Sequence, residues 1–373
     1  MGSAAAYHLT RNGQRVLLLE QFDLGHALGS SQGESRIFRY AYTQPAYARL
    51  AMQCKPLWHA LEREAGLELL KPVGGVDLGD DEHGLKSIAA VAAALDTVGV
   101  RYEDLNAAGL HAKFPQWRVP EQTRALYSPD TSFIWAGRAV QAMLSLAAAH
   151  GAVVRDREPV VQVIPHADGV EVLTAPNTYR ARSLVLAAGA WTNTVLKSLG
   201  MTLPLRIERE QVHYVAPLRP ALFGPARFTI WLQYGGENAY GFPVLGSDGY
   251  PNGIKCGFHH DRHFIEPEDT DRTPSPEVEA RMLAYLRAYL PEAAGEVLSR
   301  ICCLYTNTPD EDFVIDHVPG FPHIWLASPC SGHGFKFSIG IGKALAELAQ
   351  SGQTDIAVDA FAMARPGPGE THD

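Results

Sequence analysis

Four short runs hold the residues best suited to chemistry. Late in the chain, Ser331-Gly332-His333-Gly334-Phe335-Lys336-Phe337 precedes a helical stretch, 340–350, with apolar Ile341, Leu345 and Leu348. Gly332 and Gly334 leave backbone N–H groups open where that helix begins, an arrangement that favours negative charge. Cys302 and Cys303 lie in Ile301-Cys302-Cys303-Leu304-Tyr305-Thr306, a run of strand type. A strand sends successive side chains to opposite faces, so Cys302 is expected in the core if Cys303 serves a site. Gly29-Ser30-Ser31-Gln32-Gly33 fits G-x-S-x-G, which presents a nucleophilic serine when a strand leads in and a helix leads out. Here the lead-in 22–28 is loop-like and Glu34-Ser35-Arg36 opens no convincing helix, so a hydrolase is the weaker reading. His259-His260-Asp261-Arg262-His263 offers metal-ligand types. A metal site needs three or four converging, supported ligands. His260 and His263 read instead as polar loop residues, and no metal is expected.

The elements that position these runs follow from pattern. Residues 1–12 are helical and stop at Asn12-Gly13; Val16-Leu17-Leu18-Leu19 is a short strand ending in Glu20. Helix, turn, strand and acid form the second half of a Rossmann unit, whose acid binds a ribose hydroxyl about 20 residues after the glycine turn. Gly2 would be the last glycine of G-x-G-x-x-G. The first strand and earlier glycines are absent, so the start reads as cut. A second strand, 181–188, runs into Gly189-Ala190-Trp191-Thr192, where Gly189 lets backbone approach a ligand and Thr192 is placed to cap a helix. Helices are predicted over 47–65, 84–98 and 276–290. Strands are predicted around 211–215, 228–232, 240–243 and 254–258, giving a mainly antiparallel sheet with helices on one side.

Composition narrows the function. A chain of 373 residues fits two domains, or two interleaved ones. With 46% hydrophobic and 20% charged residues it is not a disordered chain, and a net charge of -9 argues against nucleic acid as partner. No apolar run reaches the length of a membrane span. The start lacks the layout of a signal peptide, and Ala6 breaks the myristoylation pattern. The five cysteines, Cys54, Cys256, Cys302, Cys303 and Cys330, are odd in number and fit no zinc spacing, so a reducing cytoplasm is expected.

Several motifs occur together and in order. They are the run from Gly29 to Arg39 (Gly-Ser-Ser-Gln-Gly-Glu-Ser-Arg-Ile-Phe-Arg), Tyr240-Gly241-Phe242-Pro243, Gly253-Ile254-Lys255-Cys256-Gly257-Phe258-His259, Cys303-Leu304-Tyr305-Thr306 and Gly332-His333-Gly334-Phe335-Lys336-Phe337. Across residues 2 to about 361, the sequence resembles the monomeric sarcosine oxidase and N-methyltryptophan oxidase family of flavin-dependent amine oxidases. It departs from the family in the missing first strand and in Gln32, where relatives often have His. The resemblance implies an FAD-dependent oxidase of N-methyl or other secondary amino acids, with O2 as second substrate and hydrogen peroxide as product. The alternative is a truncated, weakly active or inactive remnant of that family.

The resemblance also implies site roles. Cys303 would form a thioether to the flavin 8-methyl group. Lys255 would assist oxygen, with Arg36 near the flavin face and His259 beside the reacting centre. Arg39 and Lys336 would hold the substrate carboxylate, with Tyr240, Tyr305 and His333 lining the pocket. Gly2, Glu20, Ser30, Ser31, Arg36, Gly189, Trp191, Gly332, Gly334 and Lys336 would contact the cofactor. The implied fold is α/β: a discontinuous Rossmann-type FAD-binding domain over 1–45, 136–198 and 300–362, and an α+β substrate domain over 46–135 and 199–299. A mobile tail is expected over 363–373, a monomer as the working form, and the loop 244–250 as a variable part of the pocket.

Overall fold

The computed structural model describes residues 1–246, 250–269, 271–328 and 331–365. Cys330, the centre of the loop 244–250 and the tail from 366 onward lie outside the described residues. The chain enters through the helix Gly2–Arg11, in which Ala4, Ala5 and Ala6 are buried. Small side chains let this helix press against the late helix Ser338–Ser351. A Cβ built on Gly342 would sit 2.4 Å from Ala4 Cβ, and one built on Gly340 would sit 2.5 Å from Cys54 Sγ, on the helix Pro45–Ala65. These three helices share the largest core with Ala136–Ala149. Trp58 is fully buried there, and its indole nitrogen donates to Lys336 O at 2.8 Å.

Leu17–Leu19 pairs in parallel with Val153–Arg155, and Leu184–Leu186 pairs in parallel with Phe321–Ser328. Parallel pairing requires a crossover, which Ala136–Ala149 supplies for the first pair. The predicted strand over 181–188 divides. Thr178–Ala181 closes a three-stranded antiparallel sheet, and Leu184–Leu186 belongs to a separate one. Thr192 is the first residue of the helix Thr192–Leu196 rather than its cap, and its hydroxyl donates to Gly189 O at 2.7 Å.

The largest sheet has nine strands and is antiparallel except where Ile230–Tyr234 meets Gly75–Gly79. Near one edge of it, Arg206–Val215 lies between Ile254–Phe258 and the long strand Val297–Asn307. The run 29–39 ends in the strand Ser35–Phe38, paired with Ser132–Trp135. A strand therefore follows G-x-S-x-G where a nucleophile elbow requires a helix. Among the described residues, no helix is long and apolar enough to cross a membrane.

Candidate active site

Residues directly opposite in an antiparallel pair share a face of the sheet. Lys255 is opposite Tyr214 and Phe242, Gly257 is opposite Val212 and Tyr240, Cys303 is opposite Glu210, and Tyr305 is opposite Glu208. One face of the nine-stranded sheet therefore carries Lys255, Tyr240, Cys303 and Tyr305 together. Gly257 makes room for this: a Cβ there would come within 3.0 Å of Tyr240 Oη.

Sequence period leaves the exposure of Lys255 open, and the fold closes the question. The residue is 6% exposed; its Nζ donates to Ser35 O at 2.8 Å and lies 4.9 Å from the centre of the Phe242 ring. Burial, then the nearby Arg36 guanidinium, push its pKa down to about 7. Arg36 folds over its own loop, donating to Ser35 O, Ser30 O and Gln32 O. Ser30 in turn donates to Leu304 O at 2.7 Å, which ties the 29–39 run to the cysteine strand. Cys303 is half-buried, and burial pushes its thiol up to about 11. Cys302 is buried on the opposite side, across from Gln211, as strand alternation predicts.

A second cluster surrounds Arg39, which is 8% exposed. Its Nη1 donates to Asp77 Oδ1 at 2.6 Å and to Tyr234 Oη at 2.7 Å, and its guanidinium lies 4.6 Å from the centre of the Tyr42 ring. Lys336, also buried, donates to Tyr42 Oη at 2.7 Å and to His333 O at 2.8 Å. Burial and Arg39 hold its pKa well below the usual lysine range. His333 stacks on Phe313 at 4.7 Å. His259 lies 3.4 Å from Tyr305 Oη through its Nδ1. Burial holds both imidazoles well below the usual histidine range, hence neutral at pH 7. Gly332 joins this cluster to the first. Its φ is +76°, and a Cβ there would enter the Tyr305 ring at 2.2 Å.

The remaining predicted contact residues form a third group. Glu20 Oε1 accepts from Phe22 N at 2.9 Å, and Phe22 meets Trp191 edge-on at 5.1 Å. Gly2 would place a Cβ 3.9 Å from Ala187, two residues before Gly189, whose φ is +54°. The helix starting at Gly2 has no side-chain cap and no acid in its first turn. Ser30 and Ser31 are exposed, and Gly334 is buried at the start of the Phe335–Phe337 turn. This donor set suits a flavin dinucleotide. An acid stands ready for ribose hydroxyls, an uncapped helix start for the pyrophosphate, and a lysine with an arginine for the electron-rich end of the ring.

Sequence reasoning missed several members. Asp77, Tyr42 and Tyr234 complete the Arg39 cluster, and the signal for Asp77 was an acid inside the all-buried strand Gly75-Val76-Asp77-Leu78-Gly79. Burial raises its pKa to about 6. His260 corrects an expectation: its side chain is only 5% exposed and sits against Glu208, not in solvent.

Comparison with known proteins shows the family and the fold. The family profile described as FAD dependent oxidoreductase matches residues 1–348. The chain is 35% identical to the peroxisomal sarcosine oxidase of Homo sapiens over 379 residues, covering 100% of this chain and 95% of that protein. It is 31% identical to the N-methyl-L-tryptophan oxidase of Yersinia pestis (strain Pestoides F), covering 98% and 96%. Among solved structures, the open form of NikD, an unusual amino acid oxidase essential for nikkomycin biosynthesis, superposes with a TM-score of 0.84 at 27% identity, covering 96% of this chain and 94% of that one.

Proposed function

The chain belongs to the FAD dependent oxidoreductase family, and on that premise we propose that it oxidises N-methyl or other secondary amino acids to imines, with O2 as electron acceptor. FAD, when bound, takes the hydride equivalent from the C–H beside the amine nitrogen and passes the electrons to oxygen, giving hydrogen peroxide. The imine then hydrolyses to an aldehyde and the free amine.

One observation carries the substrate class. Two buried basic side chains, Arg39 and Lys336, stand in one cluster in which, among the described residues, Asp77 is the carboxylate that pairs with Arg39. Asp77 occupies Nη1 of Arg39, which orients the guanidinium and leaves its other donors for a guest. An amino-acid carboxylate supplies the second negative charge that the cluster lacks. Tyr240, Tyr305 and His333 wall the pocket around it. His259, held neutral by burial, lines the pocket as a hydrogen-bonding group for the substrate amine.

The cofactor assignments follow the same reading. Cys303 would hold the flavin through a thioether, and Arg36 and Lys255 would serve its ring. Ser30, Ser31, Gly332 and Gly334 contact it, and Gly2, Glu20, Gly189 and Trp191 take the dinucleotide end. Flavin binding belongs to 1–45, 136–198 and 300–362, and substrate binding to 46–135 and 199–299. The enzyme works as a cytoplasmic monomer. A panel of sarcosine, N-methyl-L-tryptophan and pipecolate, each beside its decarboxylated analogue and read by peroxide release, tests the proposal. At least one amino acid should be oxidised far faster than its analogue. Equal rates for each acid and its analogue would refute the carboxylate reading.

A further inference from the structure

Arg206–Val215 places two glutamates on the face that carries the candidate active site. Glu208 is fully buried and Glu210 is 1% exposed. They lie across the ladder from Tyr305 and Cys303 respectively. The turn after His259 folds back over them, with left-handed φ at His260 (+66°) and Arg262 (+63°). Its backbone fixes one oxygen of each carboxylate: Asp261 N donates to Glu210 Oε1 at 3.2 Å, and Arg262 N donates to Glu208 Oε1.

The side chains of Glu208, Glu210 and His260 converge. Glu208 Oε2 lies 3.0 Å from His260 Nδ1, and one ligand atom from each of Glu208, Glu210 and His260 falls within 4.8 Å of the others. Glu210 Oε2 is buried with no hydrogen-bond partner among the described residues, and the same holds for Asn307 Oδ1. Asn307 Nδ2 now donates to Glu208 Oε2 at 2.5 Å. A half-turn of that amide would put its unpartnered oxygen in the nitrogen's place. On its far side, His260 Nε2 lies 3.3 Å from Glu311 Oε2. His260 thus has Nδ1 beside Glu208 Oε2 and a carboxylate near, though not hydrogen-bonded to, its buried Nε2, which is how a metal-binding histidine and an outer carboxylate are disposed. Among the described residues, no lysine or arginine side chain pairs with Glu208 or Glu210.

We propose that Glu208, Glu210 and His260, with Asn307 as fourth ligand, bind one divalent transition-metal cation beside the active site. Two carboxylates, an imidazole and an amide oxygen suit Mn2+, Fe2+, Co2+ or Zn2+ rather than a thiolate-seeking ion. The cation cancels the charge of two buried carboxylates. It also fixes the 259–262 turn, in which the His260 ring lies 4.2 Å from that of His259 and 5.6 Å from that of Tyr305. The site stands on its own residues and holds whether or not the chain oxidises amines.

The test uses the tag-free, flavin-bearing protein, freed of metal by chelator and titrated separately with MnCl2 and ZnCl2. Calorimetry follows both ions, and loss of the free-ion Mn2+ resonance follows the first. One ion per chain is expected at micromolar affinity or better. Glu210→Gln and His260→Gln should weaken it by about 100-fold or more, and Glu311→Gln by roughly 10- to 100-fold, as for an outer support. Glu311 is partly exposed, so that variant keeps the test open if the buried substitutions do not fold. Affinity no better than millimolar for both ions, or one bound ion indifferent to Glu311→Gln and to the ligand substitutions, would overturn the assignment.

Discussion

Lys255→Met separates the charge of this side chain from its bulk. In the folded chain Nζ has a backbone acceptor, Ser35 O, and no ion-pair partner among the described residues. The fall of its pKa from 10.5 to about 7 corresponds to a penalty of roughly 5 kcal/mol on the charged form, at about 1.4 kcal/mol per tenfold. That charge is useful only where an anion develops. An ammonium about 4 Å from nascent superoxide, at an effective dielectric near 20, contributes about 4 kcal/mol, or on the order of 1,000-fold in rate. Stopped-flow traces should therefore show flavin re-oxidation slowed by about 100- to 1,000-fold in the variant. Flavin reduction by substrate should fall far less, because hydride transfer leaves no new anion beside this lysine. Wild-type re-oxidation should decline as pH rises through about 7, where Lys255 loses its proton, and the variant should be flat across that range. Stability should move the other way. A lysine whose folded pKa is depressed carries its full penalty below pH 7 and is relieved of it as pH climbs towards 10.5. Ser35 O keeps its bond from Arg36 Nη1 at 2.8 Å, so removing Nζ leaves no orphaned acceptor. At pH 6 the variant should unfold at higher urea than the wild type, with the gap closing as pH rises. Equal slowing of both half-reactions, or a variant less stable than wild type at pH 6, would refute this account.

Three further outcomes follow from the same geometry. Cys303→Ala should leave the flavin extractable while Cys302→Ala keeps it attached; an unchanged flavin adduct on the Cys303 variant in intact-protein mass spectrometry would end the thioether assignment. Lys336→Met should weaken a carboxylate inhibitor by about 2–5 kcal/mol, roughly 30- to 5,000-fold in its dissociation constant. Arg39→Ala should do the same and also destabilise the chain by about 3–5 kcal/mol, because it strands buried Asp77. Gly342→Ala should cost about 1–3 kcal/mol of unfolding free energy, since its methyl would meet Ala4 Cβ at 2.4 Å and backbone at 2.6 Å; a wild-type melting temperature would show that the two helices can part freely.

The motifs were legible because each packs its information locally. Ile254–Phe258 has the predicted bounds, and the helices near 47–65, 84–98 and 276–290 differ from prediction only at their ends. What escaped depends on which face of an element is covered. The run Arg206-Ile207-Glu208-Arg209-Glu210 reads as a solvated charged stretch, so the strand was predicted to begin at 211. In the fold it begins at Arg206, with both glutamates inside because the turn after His259 folds over that face. Asp77 was hidden for a related reason. Its partner Arg39 lies on a distant segment, and nothing local signals that two opposite charges will be buried together. Likewise His260 looked like a loop residue because it is one; the loop happens to fold inward.

The clasp between Gly2–Arg11 and Ser338–Ser351 also governs how the protein must be made. Ala4 is synthesised more than 330 residues before the surface it covers, around Gly342. At roughly 5–20 residues per second, the nascent chain spends on the order of 20–75 s with the apolar face of its first helix unmet. The strand bearing Cys303 likewise arrives long after the strand it pairs with. Closure of this core thus waits for Ser338–Ser351. A product that stops before Ser338 leaves Ala4, Ala5, Leu50 and Cys54 uncovered together, a surface that chaperones and proteases would recognise.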